Sequence, residues 1–329
     1  MKKIISLDYM KLFMACLIVA IHVYPLVSIS EEFDYFFTHV FCRIGVPFFL
    51  MTTGYFVLDR ALKDICVLKK YLFKILKLYG ICMALYFPVN LYAHTFEGMG
   101  ILEILKTIFL NGTFYHLWYF PALLLGLIII FFLLKYIRNK NIVFLIVMIL
   151  YFIGLFGDSY YGAIQNISVI KTIYDGIFLL FDYTRNGIFY VPIFLFLGYF
   201  IKTSETSMSS KNSFLAFLIF LGLMFVEGAI LHYLGWQRHD SMYLFLISVM
   251  YFGFSFVSRV SSGNYPNIRN ISTIIYVIHP LIIIGVRVLS RITNLEILVT
   301  HSVVNYFSVL FFSIVFSLLF HKCKQYLHF

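Results

Sequence analysis

Ten apolar runs separated by short polar segments set the pattern of this chain. They are Met10–Val27, Phe36–Val57, Ile75–Tyr92, Leu117–Leu134, Ile142–Phe156, Gly187–Ile201, Phe214–Leu234, Met242–Val257, Ile271–Leu289 and Ser302–Phe320. An α-helix needs about 20 mostly apolar residues to cross ~30 Å of hydrocarbon. The runs approach that length, so the pattern predicts an all-α, polytopic membrane helix bundle of about ten transmembrane helices. Ile142–Phe156 is the shortest, and Thr172–Phe181 is short enough to read as a re-entrant or interfacial piece. The first run follows Lys2-Lys3 as a signal peptide would, but no small-x-small cleavage site ends it, so it stays as a helix.

Composition agrees and excludes a soluble protein. Of 329 residues 62% are hydrophobic, 20% aromatic and 12% charged, against about 25% charged in a soluble domain. The five cysteines (Cys16, Cys42, Cys66, Cys82, Cys323) show no CxxC or Cys/His spacing, so neither a disulfide framework nor a metal site is expected. The net charge of +10 points to topology and not to nucleic acid. With the N-terminus inside, 17 lysines and arginines fall on that side, Lys2, Lys3, Lys140 and Arg269 among them, and six on the other. That bias puts both termini in the cytoplasm, with membrane lipid as a partner. The stretch Thr203–Ser210 reads as a cytoplasmic loop. The sequence ends nine residues after the last run, so one integral membrane domain, 1–329, is expected.

Ionisable groups inside spans are costly and mark functional candidates. Lys11 and His22 lie eleven residues apart on the first run, a spacing that returns to within ~20° on a helix and places them ~16 Å apart along its axis. Asp8 joins their face at the inner end. Arg43 sits about two turns into the second run, followed by Pro47, which frees a carbonyl, by Thr52 and Thr53, and by Gly45 and Gly54, which allow close helix approach. His116 and Trp118 open the fourth run, where Trp is also an expected interfacial anchor. Asp158-Ser159, Arg185-Asn186 and Arg238-His239-Asp240-Ser241 fall in outer loops that are open to reading as solvated. Glu227 lies among apolar residues of the seventh run, so it is either neutral or paired with a cation, Arg43 or Arg185, and His279-Pro280 breaks the ninth. Most of these positions lie in the outer half, which implies a polar cavity opening outward with Lys11 at its inner end.

These residues resemble the integral-membrane acyltransferase family 3, which O-acylates surface polysaccharides. Its marker is a basic residue, ten positions, then histidine, here Lys11 and His22. Its Arg-x-x-Val-Pro-Phe-Phe stretch ending in Ser-Gly-Tyr is matched from Arg43 to Tyr55, with Thr53 for the serine, and its late His-Pro at His279-Pro280. A narrower likeness joins His116–Ala122, Gly157–Ser159, Thr184–Phe189 and His239–Leu244. This is similar to the membrane half of the vancomycin-resistance serine racemases (VanT type). There, a membrane domain is thought to take up L-serine for a pyridoxal-phosphate-dependent racemase domain. That second half is absent from this sequence, so the resemblance implies either a split system, with a separate cytoplasmic serine/alanine racemase as partner, or a relative with another activity.

The resemblance implies two activities, for a protein of the bacterial cytoplasmic membrane. As a serine permease, Arg43 or Arg185 would pair the carboxylate and Glu227 or Asp240 the ammonium, while the hydroxyl meets Thr52, Thr53 or His22. As an acyltransferase, His22 would act as base or acyl relay, with Lys11 and Arg43 holding an acyl-CoA donor or the developing oxyanion. No bound cofactor is expected in either case. A membrane anchor for a partner enzyme is the third alternative.

Overall fold

The computed structural model describes residues 4–204, 208–260 and 270–326. Lys2, Lys3, Arg269 and the Glu205–Ser207 part of the polar stretch lie outside these. Among the described residues the chain is helical, with no strand. The main helices are α1 (Ile5–Val23), α2 (Glu31–Lys63), α3 (Ile65–Tyr92), α4 (Ile101–Lys106), α5 (Tyr119–Tyr136), α6 (Lys140–Phe156), α7 (Ser168–Leu180), α8 (Val191–Thr203), α9 (Ser210–Leu234), α10 (Leu246–Arg259), α11 (Ile271–Thr293) and α12 (Ser302–Tyr326). Seven of these, α1, α2, α3, α5, α9, α11 and α12, are long and apolar enough to cross a membrane. The runs at Ile142–Phe156, Gly187–Ile201 and Met242–Val257 give the shorter apolar helices α6, α8 and α10. The expected interfacial piece is α7.

Helix ends follow local chemistry. At the C-terminus of α1, Tyr24 adopts φ 54°, its N–H bonding Ala20 O, and Pro25 blocks continuation. Asp64 caps α3 by accepting from Cys66 N at 2.9 Å. α2 is irregular where the sequence demands it. Pro47 cannot donate to the carbonyl of Arg43, and the turn Phe41–Ile44 tightens to 3-10 geometry just before it. Wider π turns occupy Tyr35–Val40 and Gly54–Leu58.

The chain forms two compact units. The first comprises Met1–Phe49, Ser209–Gly228 and Phe252–Phe329. Its core joins α1, α11 and α12 through Ala15, Val19, Ile275, Ile283, Val286 and Val309. Gly45 faces Met14 O and Ile18 of α1 at contact distance. Ser302 Oγ, which donates to Pro25 O at 2.7 Å, ties the start of α12 to the turn after α1.

The second unit comprises Leu50–Met208 and Ala229–Tyr251. α8 is its centre, with ten of its thirteen residues buried. A Cβ at Gly54 would overlap Leu195 O, and one at Gly198 would overlap Met51 O, so α2 and α8 meet backbone to backbone. Glycine alone permits that approach. Gly126 likewise takes Val191, and Gly187 takes Ala122 O and Leu125, joining α5 to α8. Tyr151 OH donates to Tyr243 O at 2.8 Å, and Tyr174 OH to Ile153 O at 2.6 Å, fastening the 243 region and α7 to α6.

Candidate functional site

Two groups of polar side chains stand out, one in each unit. In the second unit, α6 ends at Phe156 and the chain turns through Gly157, where a Cβ would overlap the Thr184 side chain. That turn delivers Asp158 with 0% of its surface exposed. Its Oδ1 accepts from Ser241 N at 2.8 Å, Met242 N at 2.9 Å and Ser159 Oγ at 3.0 Å, and its carbonyl accepts from Arg238 N at 3.1 Å. Oδ2 is buried without a hydrogen-bond partner among the described residues and lies 3.6 Å from His239 Nδ1. Burial and the nearby Asp240 charge push the Asp158 carboxyl up to about 6, although the N–H groups of Met242 and Ser241 and the Arg185 cation oppose the rise.

Around this carboxyl the loop residues converge. The Arg185 guanidinium lies 4.9 Å from the Trp118 ring centre and 4.6 Å from that of Tyr183, and donates to Ser241 Oγ at 3.4 Å. His239 Nδ1 is 2.8 Å from Ser241 Oγ and 3.6 Å from Asp240 Oδ1, with its ring edge-on to Tyr183 at 4.7 Å. Asn186 is committed to the loop itself. Its Oδ1 accepts from Ile188 N and Phe189 N at 2.9 and 3.1 Å, and its Nδ2 donates to Tyr183 O at 3.0 Å. Arg238 faces the Phe178 ring at 3.6 Å and donates to Asp182 O at 3.0 Å. One guanidinium, two carboxylates, an imidazole and a hydroxyl thus share a small volume rimmed by aromatics.

Of the other sequence candidates in this unit, Thr52 and Thr53 are buried on α2, and Thr53 Oγ1 is 3.1 Å from Tyr71 OH of α3. His116 is buried, with its ring 4.8 Å from that of Tyr86 and close to Phe114 and Tyr115.

In the first unit, α1 and α11 bring His22 and His279 into a stack, with ring centres 5.2 Å apart and planes 19° from parallel. His279 Nδ1 donates to Tyr276 O at 2.8 Å and more weakly to Ile275 O at 3.2 Å. A carbonyl only accepts, so Nδ1 carries a proton. Lys11 pairs with Asp8 at 2.9 Å, one turn apart on α1. Arg43 Nη2 is 3.4 Å from His39 Nδ1, and His39 stacks on Tyr35 and Tyr24 at 5.4 and 5.7 Å. Glu227 and Arg43 are both buried in this unit.

The basic-x10-His marker therefore acquires a partner, since the late His-Pro supplies the second ring. Sequence reasoning gave Asp158 no role, although it sits in one of the short matching stretches. Besides that stretch, its signal was an acid preceded by Gly157 at the end of an apolar run. His39 and Tyr183 carried none.

The family Acyl_transf_3, described as an acyltransferase domain, matches residues 4–322. A protein of Enterococcus faecalis named an amino-acid racemase is 38% identical over 314 residues, covering 94% of this chain and 44% of its own length. A serine/alanine racemase of Enterococcus gallinarum is 35% identical over 327 residues, covering 97% and 46%. The chain thus spans less than half the length of these curated relatives. No solved structure matches it.

Proposed function

The chain belongs to the acyltransferase-3 family of membrane proteins, and from that premise we propose that it supplies L-serine to a racemase that makes D-serine for vancomycin resistance. The observation that carries this reading is the Arg185 group. A zwitterion needs a cation for its carboxylate and an anion for its ammonium. Arg185 lies over Trp118 and Tyr183, beside Ser241, His239 and the carboxylates Asp158 and Asp240. A guanidinium stacked on aromatics presents a planar fork suited to a carboxylate. Asp240, less enclosed than Asp158, is the residue for the ammonium, and Ser241 or His239 meets the substrate hydroxyl. Relatives named as racemases support the same reading, with pyridoxal-phosphate chemistry on a cytoplasmic partner domain or polypeptide. In this proposal ten helices cross the bacterial cytoplasmic membrane, both termini are cytoplasmic, and the Arg185 group faces outward.

The stacked His22–His279 pair favours a second reading, O-acyl transfer. One imidazole would take the acceptor proton while the other, fixed by Tyr276 O, holds its orientation. Lys11 and Arg43 would then serve an acyl-CoA donor. Purified protein in proteoliposomes separates the two. Labelled L-serine uptake should fall at least tenfold in Arg185→Gln and persist in His22→Gln. Absence of uptake by the wild type, with acetyl transfer from acetyl-CoA that His22→Gln abolishes, would overturn the serine reading in favour of acyl transfer.

A further inference from the structure

We propose that the second unit carries a separate lipid site, which holds a neutral membrane lipid by a hydroxyl group beside its hydrocarbon chain. The site is a cavity of about 630 Å³ between the last turns of α3 and the segment from α4 to Thr113. Met83, Phe87, Phe96 and Ile108 supply its apolar wall, and Asn90 and Thr113 are its polar members. Among the described residues no charged side chain lines it, which leaves no charge to recognise a phosphate or an ammonium.

Asn90 is 1% exposed on an otherwise apolar face of α3. Its Nδ2 donates to Thr113 O at 2.8 Å, which fixes the amide plane. Its Oδ1 is buried and, among the described residues, accepts no hydrogen bond. A buried acceptor left unmatched is unfavourable, so a ligand that brings an O–H gains the bond the protein lacks. The apolar surface continues outside the cavity. Phe87 on α3, Ile101 and Leu102 on α4 and Phe109 just beyond are all exposed. These apolar side chains offer a hydrocarbon chain a path from bilayer to cavity, along which its hydroxyl end reaches Asn90. This site is independent of the serine reading.

The test uses the full chain in nanodiscs with two radiolabelled probes, 1-monooleoylglycerol and methyl oleate, which share a chain but differ in hydroxyl donors. The wild type should hold the monoacylglycerol about two- to tenfold more tightly, the range of one hydrogen bond. Asn90→Leu should bind both equally, and Ala84→Trp, filling the cavity from its exposed side, should bind neither. Equal binding of both probes to the wild type would mean hydrocarbon contact only and overturn the proposal. So would discrimination that survives Asn90→Leu, or undiminished binding to Ala84→Trp if the leucine variant does not fold.

Discussion

At Asp158 one carboxyl does two jobs that can be separated. Oδ1 is a structural acceptor for three donors of neighbouring loops, while Oδ2 lies 3.6 Å from His239 Nδ1 and is the oxygen left to take up a proton. Its folded pKa of about 6 lies above the ordinary value of 3.8. The proton is thus bound more tightly in the folded protein, and the stabilisation is complete below about pH 4 and lost as pH rises through 6. Asn keeps the Oδ1 acceptor and cannot ionise. Thermal unfolding of Asp158→Asn minus wild type, followed from pH 4 to 7.5, should show the variant gaining about 2–3 kcal/mol in relative stability across that window. A pH-independent difference would show that Asp158 does not titrate there. Asn186 illustrates the opposite case. Its side chain is spent on its own loop, so its importance is in holding Tyr183 and Arg185 in place.

Among the helices, the contact of α2 with α8 is the least forgiving. Gly54 and Gly198 sit on opposite sides of one crossing and each meets the other helix's backbone carbonyl. A main-chain atom cannot rotate away as a side chain does, so a methyl group at either site must push the helices apart. Overpacking of this kind costs about 1–3 kcal/mol. Gly54→Ala and Gly198→Ala should each lower the melting temperature in detergent, and since either alone separates the helices, the double variant should fall short of the sum. Gly80, with open space around its Cβ position on α3, is the control: Gly80→Ala should leave the melting temperature unchanged or raised.

For the whole molecule, the orientation inferred from lysine and arginine can be checked directly. In a cysteine-free background, single cysteines at the exposed positions Gly100 and Asn166 should react with a membrane-impermeant maleimide from outside intact cells. One at exposed Arg138 should react only after lysis. The reverse pattern would place the Arg185 group on the cytoplasmic face and remove the uptake reading with it. A helix spanning 30 Å needs about 20 residues, so α8, with thirteen, is too short to cross by itself and in the ten-span proposal needs the loop that precedes it.

That loop marks where sequence stopped and tertiary structure began. Hydropathy by itself determined the helical class and the apolar segments, because the cost of burying backbone and charge in lipid acts on every residue locally. Lys11, His22, Arg43 and Glu227 stood out for the same reason. The sequence pattern started α8 at Gly187 and α10 at Met242, whereas the helices start at Val191 and Leu246. The intervening residues are drawn into the site, Ser241 N and Met242 N by Asp158, and Ile188 N and Phe189 N by Asn186. The Asp158 bonds join segments some 80 residues apart and leave no periodicity in either one, and the Asn186 bonds are a local turn that interrupts it. The pairing of His22 with His279, 257 positions apart, and the burial of Asp158 were likewise decided only when α1 met α11 and the 241 loop closed over the end of α6.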